Sequence, residues 1–233
     1  MKRSEMKRRE SKIHLFIKTL IAFLCGLLIT GVILFVPAGT LAYPGAWLLI
    51  DLLFTPILIM GVVLLIKNPE LLRKRLEMKE REKEQKGVVA LSGLLLVSSF
   101  IVAGLDYRFG WSHVSNLLVI ISSIVLLVGY ALYAEVLREN VYLSRVVEVQ
   151  EGQRVIDTGL YGIVRHPMYF AVTLLYLAIP LVLGSWWALL VISPCVLLLA
   201  LRIENEEQVL HQGLPGYTDY TGRVRYRMIP WVW

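Results

Sequence analysis

Long, uninterrupted apolar blocks decide what this chain can fold into. Backbone amides placed in hydrocarbon must find their partners within their own segment, so such blocks become helices. A helix needs roughly 20 consecutive, mostly apolar residues to cross a bilayer. Leu15–Val36, Ala46–Ile66, Val88–Leu105 and His113–Leu137 each read as one span, the second with a kink at Pro56. Met168–Leu201 is a 34-residue run, too long for one ordinary span. Pro180 and Gly184-Ser185-Trp186-Trp187 divide it into two spans joined by a tight turn with interfacial tryptophans. The first block is too long for a signal peptide and lacks a small-residue cleavage site.

Composition agrees. Apolar residues make up 57% of the chain and charged ones 18%, against about 25% charged in soluble domains. A soluble, disordered or disulfide-scaffold protein is excluded. Cys25 and Cys195 lie inside apolar runs and read as packing residues. The net charge of +6 is explained by where the cations sit. On the six-span reading, 23 of the 24 Lys and Arg residues fall on one side and only Arg108 on the other. By the positive-inside rule both termini are cytoplasmic, and the expected location is a prokaryotic cell membrane. The basic balance is thus a topology signal with some attraction to anionic lipid, not a sign of nucleic-acid binding. Leu71–Lys86 alternates basic and acidic residues, which predicts a solvated helix with internal ion pairs and no chemistry.

Polar and ionisable residues concentrate in two cytoplasmic stretches, Arg138–Tyr169 and Arg202–Arg227. In the first, Val146–Val149 is β-like, Glu151-Gly152 turns, Gln153–Ile156 is extended and Asp157-Thr158-Gly159 turns again. Pro167 occupies the first-turn position that proline favours at a helix start. Arg165 and His166 are then held just before a helix N-terminus, as interfacial anchors or as part of a site for an anionic group. In the second stretch, continuation of the last span places Arg202 and Glu206 at i and i+4 on one face. That pair is either a surface ion pair of little energetic worth or a device for binding an anionic acceptor and an amino-bearing cofactor.

Together, Gln153–Tyr161, Arg165-His166-Pro167-Met168-Tyr169, the Glu206-Glu207 pair with Gly216-Tyr217-x-x-Tyr220, and the tail Val224–Pro230 resemble the isoprenylcysteine carboxyl methyltransferase family in its broad prokaryotic form. The resemblance covers about the C-terminal 100 residues. It implies an integral membrane enzyme that uses S-adenosylmethionine without a Rossmann domain, and no G-x-G-x-x-G motif is present. By the resemblance, Gln153, Arg154, Val155 and Ile156 line the cofactor largely through backbone groups, and Tyr161, His166, Pro167, Met168 and Tyr169 complete the pocket. Glu206 takes the cofactor's polar end, with Glu204 and Glu207 as alternatives for that role. Arg202 corresponds to an acceptor-orienting arginine, so Arg202 and Glu206 are the expected catalytic pair. Gln153 stands where many relatives have His. No metal is implied.

The expected architecture is therefore an all-α integral membrane protein of about six transmembrane helices. The last two form a hairpin, and a cytoplasmic cofactor-binding cap is built from the 138–168 loop and the C-terminal segment. Residues 1–137 form a four-span membrane region and 138–233 the methyltransferase core. The expected acceptor is lipophilic or lipid-linked: a carboxylate of the prenylcysteine type, which needs no base, or a phospholipid amine, which does, with His166 or a glutamate as candidate. Tyr161 or Tyr169 would offer a ring face to the sulfonium or simply pack. An NADPH-dependent membrane reductase would be expected to show a larger bundle and more cations. A transporter would place ionisable residues at the bilayer midplane, and none is evident there.

Overall fold

A computed structural model of the chain describes residues 2–76, 83–143 and 149–233. No strand occurs among the described residues. The elements are α1 (Lys2–Ala38), α2 (Pro44–Lys67), α3 (Pro69–Leu76), α4 (Lys83–Phe109), α5 (Asn116–Glu139), a 3-10 turn (Gly159–Gly162), α6 (Pro167–Val182), α7 (Trp186–Ile192), α8 (Cys195–Gly213) and α9 (Tyr217–Arg223).

Among these residues five helical segments are long and apolar enough to cross a membrane: Ile13–Ala38, Pro44–Lys67, Gly87–Phe109, Asn116–Glu139 and Trp186–Gly213. The expected fifth span, α6, is apolar but only 16 residues long. The expected sixth differs too. It is interrupted where Pro194 supplies no amide proton, so α7 and α8 together form the segment. α8 then runs past Leu201 to Gly213, carrying Arg202, Glu206 and Glu207 with it. The fourth span starts at Asn116 rather than His113, because the Ser115 hydroxyl caps it by accepting from the Leu118 amide. Of the expected 71–86 helix, residues 77–82 lie outside the described residues; α3 carries an exposed Arg73–Glu70 pair at 3.4 Å. Residues 146–148 of the β-like run also lie outside them, and Val149 and 153–156 are described without strand pairing.

Helix packing rests on small residues, as it must where lipid tails are as apolar as leucine. The main buried cluster joins Ala38, Ala46, Ala103, Ala178 and Ala188 with Leu34, Leu49, Leu126 and Val182. Gly104 lets α1 and α4 touch: a Cβ there would lie 2.7 Å from the Leu34 carbonyl oxygen. Large apolar side chains such as Leu28, Ile59, Leu94, Ile120 and Leu190 point outward, which suits a lipid-facing surface.

Three short connections, 39–43, 110–115 and 183–185, gather at one end of the bundle. The Tyr43 hydroxyl donates to the Leu183 carbonyl at 2.6 Å, and its ring stacks on Tyr107 at 4.1 Å. Asp106, 1% exposed, accepts from the Ser112 amide at 2.7 Å, from the Ser112 hydroxyl at 2.6 Å and from the Ser185 hydroxyl. The other connections therefore meet at the opposite end, and that is where the polar stretches converge.

Gly104→Ala should lower thermal stability in detergent by about 1–3 kcal/mol through overpacking. Gly93→Ala, on the same helix with nothing within 4 Å of the added carbon, should be neutral or mildly stabilising. Paired melting curves check this.

Candidate functional site

The site begins where α5 ends. Glu139 accepts from the Leu160 amide at 3.1 Å, anchoring the 3-10 turn to the helix. Gly159 makes this approach possible: its φ is +52°, and a Cβ would fall 1.6 Å from a Glu139 oxygen. Asn140 donates from Nδ2 to the Tyr161 hydroxyl at 2.9 Å. The Tyr161 carbonyl in turn accepts from the Tyr220 hydroxyl at 2.7 Å, which docks α9 on the turn. Gln153 closes its own loop, accepting through Oε1 from the Gln150 amide at 2.8 Å.

Arg165 and His166 pair with the tail as a short backbone ladder, their amides donating to Tyr226 O at 2.9 Å and Arg227 O at 2.7 Å. Pro167 then opens α6. The side chains converge on Glu207, which is 5% exposed. Its Oε1 accepts from Arg165 Nε at 2.6 Å and faces His166 Nε2 at 3.2 Å, while Oε2 accepts from Arg227 Nε at 2.9 Å. A carboxylate only accepts, so the proton in the histidine contact sits on Nε2. Arg165 also donates through Nη1 to Val224 O at 2.9 Å. This carboxylate binds α8, the residues before α6 and the tail into one unit.

One residue earlier on α8, Glu206 points elsewhere. The Tyr169 hydroxyl donates to Glu206 Oε2 at 2.5 Å and accepts from Arg202 Nε at 3.0 Å. Arg202 and Glu206 are thus on one face as their spacing requires, with Tyr169 bridging them.

These elements surround a cavity open at its mouth and enclosing about 850 Å³, the mouth included. Of the residues expected from sequence, Gln153, Arg154, Val155, Ile156, Tyr161, His166, Met168, Tyr169, Arg202 and Glu206 line it; Pro167 and Glu207 do not. Arg165, read from sequence as an anchor or part of an anion site, also lines it, as do Tyr217 and Tyr220 of the quoted motif; sequence reasoning assigned no role to the further lining residues Asn140, Tyr142, Leu143, Leu210 and Leu214. Leu210 and Leu214 continue the Arg202–Glu206 face at four-residue steps, a signal present in the sequence. Leu214, Tyr217 and Tyr220 pack with Val155 and Leu210 into an apolar cluster. The cavity is therefore charged around Arg202 and Glu206 and apolar and aromatic further along α8. Among the described residues, the Tyr217 hydroxyl is the buried side-chain polar atom that finds no hydrogen-bond partner. No cluster of three or more potential metal ligands occurs among them.

Glu207→Ala strands the buried Arg165 guanidinium and should destabilise the protein by about 3–5 kcal/mol. Glu204→Ala, which removes only an exposed 3.6 Å contact with Arg227, should cost under about 1 kcal/mol. Thermal unfolding in detergent, with proteolysis near Val224 as a second readout, separates the two.

Residues 111–214 match the family model described as phospholipid methyltransferase. No curated protein matches the chain. The matched region runs from the connection before α5 to the residue after α8 and contains the 3-10 turn, the start of α6 and the Arg202–Glu206 face. Through that region the chain is similar to phospholipid methyltransferases, a family of membrane methyltransferases.

Proposed function

We propose that the protein uses S-adenosylmethionine to methylate a lipophilic or lipid-linked acceptor at the cytoplasmic face of a prokaryotic cell membrane. The observation that carries this reading is the division of the cavity: the charged Arg202–Tyr169–Glu206 set and, further along the same face of α8, an apolar, aromatic cluster of Val155, Leu210, Leu214 and Tyr220. S-adenosylmethionine has the same division, a flat nucleoside at one end and a charged amino acid at the other. Both termini and the cavity sit at the end opposite Arg108, where the remaining cations lie, which supports the cytoplasmic assignment.

In this reading Gln153, Arg154, Val155 and Ile156 edge the cofactor, and Tyr161, His166, Met168 and Tyr169 close the pocket around it. Glu206 pairs with its ammonium group. Pro167 contributes by starting α6, and Glu207 by holding Arg165 and His166 in place. Bound there, the cofactor would supply a methyl group on a sulfonium for in-line transfer to an aligned nucleophile, the methyl–sulfur bond breaking as S-adenosylhomocysteine leaves. Arg202, fixed through Nε by Tyr169, orients an anionic acceptor.

The hydrogen-bond pattern favours an acceptor that arrives without a proton to lose. His166 Nε2 is turned to Glu207, and one Glu206 oxygen is turned to the Tyr169 hydroxyl. A carboxylate acceptor fits this arrangement and needs no general base. A phospholipid amine is the second reading, favoured by the name of the matched family; Glu206 is then the candidate base.

Calorimetric titration of the detergent-purified protein with S-adenosylhomocysteine, with NADPH as the comparison, tests the proposal. Saturable binding of the homocysteine ligand alone is expected. Glu206→Gln should weaken it roughly 10- to 100-fold, the worth of a charge-assisted hydrogen bond. Arg202→Ala should leave it intact while abolishing most turnover. No binding of S-adenosylhomocysteine to folded wild-type protein would overturn the reading.

A further inference from the structure

Asp51 finds nothing within its own chain to bind. It lies on α2, seven residues in from Pro44, roughly 10 Å along the helix axis and one turn deeper than Trp47. The Trp47 indole donates to the Leu41 carbonyl at 2.8 Å, which holds it at the end of the bundle, where tryptophan marks the membrane interface. Asp51 is exposed, as is Thr55 one turn further in. Among the described residues neither side chain has a hydrogen-bond or ion-pair partner. Acids on other spans are provided for: Asp106 holds Ser112 and Ser185, and Glu135 is paired with Arg138 at 2.6 Å. Asp51 is too short to reach the headgroups as a lysine or arginine would, and polar groups left alone in hydrocarbon are costly.

The residues around this pair define a face. Leu48, Asp51, Thr55, Leu58 and Val62 are all exposed and follow one another at alternating steps of three and four residues, the spacing of a helix–helix seam. Whatever covers the seam must carry complementary groups at the same depth. A second copy does so by symmetry. Charge bias inserts every copy in the same orientation, so a two-fold axis along the membrane normal sets each seam position level with itself. Thr55 brings a hydroxyl donor and Asp51 a carboxyl acceptor, and the two occupy successive seam positions. We infer that α2 is a dimer interface in which the Thr55 hydroxyl of each copy donates to the Asp51 carboxyl of the other. The interface lies toward the end opposite the cavity and does not depend on what the cavity binds.

The test uses the full chain in phospholipid vesicles over a range of protein-to-lipid ratios. Energy transfer between donor- and acceptor-labelled copies should rise and saturate as that ratio increases. Asp51→Leu and Thr55→Val should each weaken association roughly 10-fold, the effect of losing two interhelical hydrogen bonds in lipid. Asp51→Asn keeps an acceptor and should associate within about 3-fold of wild type. Thr55→Val keeps the side-chain shape, and an unchanged melting midpoint of both weakened variants at high dilution separates lost association from misfolding. With Cys25→Ala removing the exposed native thiol, Leu48→Cys and Leu58→Cys should give disulfide-linked dimers on oxidation. Leu94→Cys, exposed on α4, should not. Monomers at every ratio overturn the inference, as does association that Asp51→Leu and Thr55→Val leave intact. So does an Asp51→Asn variant as weak as Asp51→Leu, or cross-linking through Leu94→Cys in place of the α2 positions.

Discussion

The architecture of the cavity end depends on one buried carboxylate. Glu207 lies on α8, but its three partners come from elsewhere: Arg165 and His166 just before α6, and Arg227 from the tail. Without a charge at Glu207, the buried Arg165 guanidinium would lose its carboxylate, and Arg227 would keep only its exposed contact with Glu204. With it, the segment before α6 is held at a fixed distance from α8, and the cavity exists as the space between them. The backbone ladder from Arg165 and His166 to Tyr226 and Arg227 adds direction to what the charges hold.

The opposite end uses the same device in a neutral form. Asp106 collects two serine hydroxyls and one amide and so joins α4, the connection before α5 and the turn between α6 and α7. Between the two carboxylates the helices meet mainly through alanines and glycines, with a few directional bonds such as the Ser99 hydroxyl donating to the Ala188 carbonyl at 3.0 Å and the Tyr130 hydroxyl to the Leu53 carbonyl at 3.3 Å. Close approach through small residues and polar ties at the ends together make a rigid scaffold of helices whose outer surfaces are largely oily. The site can then be assembled from loops, because the helix ends that carry those loops are fixed.

The spans were legible because a bilayer imposes a length on apolar sequence, and their boundaries shifted only where a cap such as Ser115 or a missing amide at Pro194 intervened. The shortness of α6 was hidden inside an apolar run that hydropathy alone cannot divide correctly. Arg202 and Glu206 shared a predictable face because helical periodicity dictates it. What the sequence could not separate was Glu206 from Glu207: adjacent residues on a helix point about 100° apart, and which one faces a cavity depends on packing. Asp106 went unnoticed because its partners Ser112 and Ser185 come from different connections. Tyr217 stood within a motif, Gly216-Tyr217-x-x-Tyr220, yet its distinction from Tyr220 is a missing hydrogen bond, which only a folded structure can reveal.

The brevity of α6 has a consequence for depth. Sixteen residues rise roughly 24 Å, short of the ~30 Å hydrocarbon slab. With the Gly184 turn at one interface, Tyr169 and the Arg202 it engages come to rest below the opposite one, while α5 and α8 continue upward beside them. The result is a polar well set lower than the ends of the longer helices that wall it. On the proposed reading, a lipid-anchored acceptor would keep its chains in oil while its reactive group enters the well, and the water-soluble cofactor would come from above. A helix that stops early would then set the level at which two reactants that share no solvent meet.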